Sequence, residues 1–242
     1  MNKSNVIDHF SVSSINLAAN CPRSWWVKYI LKLDQPSSMA ASFGSQYDQM
    51  IGKRLKVICM KEERESAPVD GVEEAVAGYL SQPHAFLTAT HSQVPIHITP
   101  GQWNVMAEVY GFYAEISKPI IGFIDLFDEN TRELNDLKTS SAKRTSLWWA
   151  VQVLTYALAK QANKAGIHLM TRTKVPAYYN FIVPTTPENF KWAMQILTHH
   201  ANLIEGWLRD GAGDHLPRTP DYYCGWCAEK LSCPAQSVIL GG

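Results

Sequence analysis

The chain carries no excess of charge of either sign: 22 Lys and Arg stand against 22 Asp and Glu. No global field advertises a nucleic acid or a membrane surface, although a zero sum is compatible with a local basic patch. Long apolar runs are also missing, and nothing approaches the ~20 residues of a membrane span. The opening stretch MNKSNVIDHFSVSS lacks the apolar middle of a secretory signal, so the expected location is the cytoplasm, with no membrane partner. The absence of repeats, heptads and low-complexity tracts argues against solenoids and coiled coils. No G-x-x-x-x-G-K-[ST] occurs: Gly52-Lys53-Arg54 lacks both the upstream glycine spacing and the hydroxyl residue, so there is no recognisable ATP motor. None of the eight histidines shows H-E-x-x-H spacing, and His199-His200 reads as a surface or satisfied pair.

What is present suits a globular protein. Of 242 residues, 46% are apolar and 18% charged, enough to bury a core without disulfides. Five cysteines are an odd count, which argues against a disulfide framework. Three of them, Cys224, Cys227 and Cys233, crowd the C-terminal end, and in a reducing compartment such a cluster reads as a metal site. A closed four-thiolate site needs one more ligand, for which Cys21 in NCPRSWW is the best candidate. Structural zinc and an iron–sulfur cluster both fit four thiolates, and spacing alone does not separate them. Cys59 is left over and reads as a buried helix residue. Trp226, inside the cysteine loop, is placed either to pack over the cluster or to stack on a base.

The N-terminal third reads as helical. Ser13 or Ser14 can cap a short helix, and Pro22 suits the first turn of another running to about Leu31. Further helices are expected over 42–61 and 72–80. The period then changes: segments 94–98, 105–116, 120–127 and 132–138 are rich in β-branched and aromatic residues and read as strands. A helix over 147–162 capped by Ser146, strands near 168–173 and 177–183, and a helix opened by Pro187 and ending near Asp210 complete the order. The expectation is an α/β fold, a mixed central sheet flanked by helices. It reads as one domain with a helical subregion over 1–92, a core over 93–210 and a cysteine segment over 211–242.

The chemistry concentrates in GFIDLF and LNDLKTSS. Alternate side chains of a strand share a face, so Asp125 and Asp136 project from one side of a hairpin with an even-numbered loop, and Lys138 stands one step further along. Two carboxylates can hold Mg²⁺ or Mn²⁺ beside a phosphate, and the lysine can orient or help deprotonate water or stabilise developing charge. An ordinary surface hairpin with a salt bridge has the same pattern. Gln152 and Tyr156 share a helix face downstream, and Asp48 follows Gly44 by four residues upstream. Lys143-Arg144 are candidates for phosphate contacts, with solvated surface the equal alternative.

Taken in order, Gly44/Asp48, Gly122/Asp125, Asp136/Lys138/Thr139 and Gln152/Tyr156 resemble the PD-(D/E)XK nuclease superfamily, specifically its RecB-like exonuclease branch. Asp48 departs from that family's pattern by standing where a histidine is usual. The resemblance, over about Ser11 to Ala235, implies a restriction-endonuclease-like core and Mg- or Mn-dependent cleavage of DNA. The expected substrate is single-stranded ends, degraded 5′ to 3′, in recombination, repair, phage DNA metabolism or CRISPR adaptation. Asp48, Asp125 and Asp136 would hold the metal, and Lys138, Gln152 and Tyr156 would complete the site. The resemblance also favours a 4Fe–4S cluster on Cys21, Cys224, Cys227 and Cys233, as in CRISPR-associated and AddB-type relatives, with structural zinc as the alternative. It allows a helicase or a CRISPR or recombination protein as partner. A non-catalytic DNA-binding or assembly factor that keeps the stapled fold is the rival reading, and Asp48 is its best support.

Overall fold

The computed structural model describes residues 7–33, 39–61, 67–219, 224, 227–229 and 233. The chain divides into two compact units, each assembled from separated stretches. The first takes 1–38, 99–120 and 195–242, the second 39–98 and 121–194.

In the first unit, α1 (Val12–Asn20) is opened by a capping box in which Ser11 and Ser14 satisfy each other's backbone N–H groups. α2 (Pro22–Tyr29) follows at once, with proline in its first turn and the Cys21 sulfur accepting from the Ser24 N–H. Its apolar stripe is core. Trp25 is fully buried, with its ring centroid 5.9 Å from Tyr29 and 6.2 Å from Trp207. Arg23, itself buried, donates to the Gly213 carbonyl at 2.8 Å and pairs with Glu229.

Segment 105–116, expected as a strand, is not one: 105–109 form the second half of a helix, α5 (Pro100–Val109), and 110–116 are turn and irregular chain. Thr99 and Gln102 form a capping box around Pro100 in the first turn. Trp103 and Ala107, four apart, are buried, while the β-branched Val105 and Val109 face solvent at 61% and 75% exposure. The cap and the 3.6-residue spacing outweigh β-propensity, which is weak where side chains are solvated.

The second unit holds a mixed six-stranded sheet in the order β1 (Ile58–Cys59), β2 (His91–Ile98), β3 (Ile120–Asp128), β4 (Glu133–Ser140), β5 (Lys164–Thr171), β6 (Ala177–Val183). β1 and β2 are parallel, β3 and β4 form an antiparallel hairpin, β4 and β5 are parallel, and β5 and β6 antiparallel. Helices α3 (Met39–Leu55) and α4 (Val72–Leu80) supply Tyr47, Ile51, Val76 and Tyr79 to a core shared with Leu126, Leu137 and Met170. Leu137 alternates with Asp136 and Lys138, which project to the opposite face of the sheet. There α6 (Leu147–Lys160), capped by Ser146, packs on the sheet, and α7 (Pro187–Asp210) follows β6. Cys59 is exposed in β1, not buried in a helix. Among the described residues, no helix is long and apolar enough to cross a membrane.

Candidate active site

The β3–β4 hairpin pairs Leu126 with Asn135, Phe127 with Leu134 and Asp128 with Glu133. One step further the backbone ladder is replaced: the Leu137 N–H donates to Asp125 Oδ2 at 2.8 Å. A side-chain carboxylate thus takes the place of a strand carbonyl, and the strands part where Asp125 and Asp136 meet. Asp136 is 1% exposed, with Lys138 Nζ 2.6 Å from its Oδ2. Lys138 also donates to Gln152 Oε1 at 3.3 Å, and Gln152 Nε2 donates to Tyr156 Oη at 3.2 Å. The i, i+4 pair on α6 therefore presents one connected chain of groups to the carboxylate–lysine row of β4.

One glycine, Gly122, makes room for this arrangement. A Cβ on Gly122 would overlap the hydroxyl and ring of Tyr156, so only glycine lets that side chain rest against β3. A Cβ on Gly44 would lie 3.4 Å from Thr139 Oγ1, which marks the close approach of α3 to β4. One helical turn beyond Gly44, Asp48 points toward the same carboxylates. Its Oδ1 is buried without a hydrogen-bond partner, as is Asp136 Oδ1.

The electrostatics follow from burial. Burial, then Asp136, pushes Asp125 up to about 7. Asp48 is raised well above the usual carboxylate range, by burial first and then by Asp125. Lys138 is pulled down by burial, but Asp136 and Asp125 more than offset this and its ammonium is held above the ordinary lysine value. Tyr156 is raised to about 12 by burial and Asp136. The unit thus keeps crowded carboxylates beside one persistent cation.

A hard divalent cation suits these donors: oxygens only, two of them buried and unpartnered. Among the described residues, no three His, Cys, Asp or Glu side chains already stand at metal-holding distance. Sequence reasoning missed Gln93, which sits in β2 at φ 51° and donates to Asp125 Oδ1 at 3.1 Å. Its only signal is a polar residue on the alternating pattern of Val94, Ile96 and Ile98.

In the first unit, burial pushes the Cys227 thiol up and neighbouring Cys21 adds to the shift, against lowering by the Glu229 backbone and Ser24. The Cys227 N–H donates to the Cys224 carbonyl at 3.3 Å. Cys21 and Cys227 are therefore neighbours, and Cys224 lies one turn away. Among the described residues, no three of Cys21, Cys224, Cys227 and Cys233 stand together as a group that could hold a metal ion. Trp226 lies outside the described residues.

A family model for the PD-(D/E)XK nuclease superfamily matches residues 9–234. A solved chain titled "Putative exonuclease", from Eubacterium rectale, has the same fold at a TM-score of 0.61 and 16% identity, over 93% of this chain and 88% of that one. A second, titled SSO0001, gives a TM-score of 0.49 at 14% identity over 96% and 88%. No curated protein matches the chain.

Proposed function

Because the chain belongs to the PD-(D/E)XK nuclease superfamily, we propose that it is a metal-dependent DNA exonuclease acting on single-stranded ends, 5′ to 3′. Recombination, repair, phage DNA metabolism or CRISPR adaptation is the setting that the resemblance suggests, with a helicase or a CRISPR or recombination protein as partner. The observation that carries the reading is the Asp125–Asp136 pair with Lys138 ion-paired at 2.6 Å beside it. Asp48, Asp125 and Asp136 would hold Mg²⁺ or Mn²⁺. When bound, the ion would lower the pKa of water and neutralise charge on the phosphate. Lys138 stays protonated among its carboxylates, so it serves as a fixed cation for developing phosphate charge rather than as a base. Gln152 orients its ammonium, and Tyr156 holds Gln152. Gln93 and the Leu137 N–H fix the Asp125 carboxylate from two sides.

In the first unit, Cys21, Cys224, Cys227 and Cys233 would carry a 4Fe–4S cluster, or zinc in its place, in a structural role. Thiolate ligands are what either group requires, and the nearness of Cys21 to Cys227 supports the assignment.

Asp48 in the histidine position favours the second reading, a DNA-binding or assembly factor without catalysis. Labelled single-stranded DNA incubated with the protein and Mn²⁺ separates the two. The enzyme shortens the DNA and Asp136→Ala abolishes the shortening. Degradation that persists in Asp136→Ala, or none with the wild type, overturns the exonuclease.

A further inference from the structure

The sheet register carries the active row outward to the edge. Asp136 pairs with Ile167 and Ile167 with Phe181; Lys138 pairs with Leu169 and Leu169 with Tyr179. Cα partners in a ladder project to the same side. Phe181 and Tyr179 therefore stand on the sheet face of Asp136 and Lys138, two strands away, roughly 10 Å at the usual strand spacing. The residues between them differ in kind: Ile167 and Leu169 are buried, whereas Tyr179 and Phe181 are half-buried on the last strand of the sheet.

These two rings are arranged as a platform. Their centroids are 6.3 Å apart with planes only 26° from parallel. Lys143, from the exposed 141–145 loop that joins β4 to α6, places its Nζ 4.6 Å from the Tyr179 centroid. The pair is only half-buried, so part of each ring faces solvent. The core-facing tyrosine of this strand is Tyr178, whose hydroxyl donates to the Ala75 carbonyl at 2.9 Å on the opposite face.

We infer that Tyr179 and Phe181 form a base-stacking platform that, with Lys143, holds single-stranded DNA adjoining the scissile phosphate. Aromatic faces accept any base, and a cation beside them matches the phosphate charge. A duplex keeps its bases stacked on one another and cannot offer them to the platform. The site thus selects unpaired strands without reading sequence. The inference rests on the nuclease reading for what lies at the carboxylates, but its test does not.

The test is fluorescence anisotropy with a labelled oligothymidylate and a labelled duplex, using the full chain carrying Asp136→Ala so that cleavage cannot consume the probe. Tyr179→Leu/Phe181→Leu keeps apolar bulk at the sheet edge and removes the ring faces. It is expected to weaken oligothymidylate binding about tenfold or more while leaving duplex binding and melting temperature unchanged. Tyr179→Trp/Phe181→Trp should restore affinity, with indole fluorescence quenched on adding the oligonucleotide. Lys143→Gln should lower the slope of log affinity against log salt by about 0.7. Unchanged oligothymidylate affinity in the leucine variant, or an equal loss on duplex, overturns the platform. Failed cleavage by the wild type alongside ring-dependent binding would sink the exonuclease and leave the platform standing.

Discussion

His168 shows how a single buried residue ties this fold to pH. It lies on β5 facing α4, where its Nδ1 is 2.6 Å from the Tyr79 hydroxyl, and the same hydroxyl accepts from the Phe86 N–H. Burial, with His84 adding to it, lowers its pKa from 6.5 to about 4. The unfolded chain therefore binds this proton more readily than the folded one between those values, and stability falls as pH drops from 6.5 toward 4. The loss across the window is on the order of 3 kcal/mol. Urea unfolding at pH 7 and pH 4.5 should show it, and His168→Gln should flatten that part of the profile. An unchanged pH dependence in the variant would assign the acid loss to other groups. None of this is legible in sequence, because the lone His168 in an apolar strand announces burial but not its partner. Gln93 escaped reading for a similar reason: its use depends on a backbone turned to positive φ within a strand. By contrast, Asp125, Asp136 and Lys138 were legible because a period of two fixes which side chains share a face.

At the scale of elements, the hairpin and α6 were readable from alternation and from the Ser146 cap, and both form where expected. The α5 helix was not, although Thr99-Pro100-Gly101-Gln102 carries a cap, an N1 proline and a reciprocal partner. There the eye follows β-branched residues that end on the solvent side. The contact between β3 and α6 is a long-range fact that the sequence marks only as a glycine, Gly122, three residues before Asp125. It makes a sharp prediction. In Gly122→Ala the new methyl meets the Tyr156 ring and hydroxyl, and overpacking of this kind costs about 1–3 kcal/mol. Tyr156 must shift, and Gln152 and Lys138 lose their alignment with it. Denaturant unfolding should register the stability loss, and single-turnover cleavage should fall further than that loss accounts for. Full activity in the variant would mean that β3 yields instead of Tyr156.

At the scale of the whole chain, the first unit is built from three stretches, 1–38, 99–120 and 195–242. Cys21 belongs to the first of these stretches and Cys224, Cys227 and Cys233 to the last. A cluster joining them closes a loop that contains, in sequence, every residue of the second unit. Cross-linking over so long a loop restricts the unfolded chain by an amount on the order of 5 kcal/mol in the chain-entropy model. The contribution to stability should therefore be large, while the carboxylate–lysine row has its own supports within the second unit. Anaerobically purified protein is expected to be brown, with about four irons and four sulfides per chain. Cys21→Ala should lose the iron and melt at a lower temperature. Asp136→Ala should do the opposite, staying brown and folded while cleavage disappears. Full iron and normal melting in Cys21→Ala would remove it as the fourth ligand. Colourless protein with one zinc would keep the staple and replace the cluster. Measuring iron, sulfide and melting together in both variants separates the two roles, because a change that acts through the staple moves all three and a change at the carboxylates moves none.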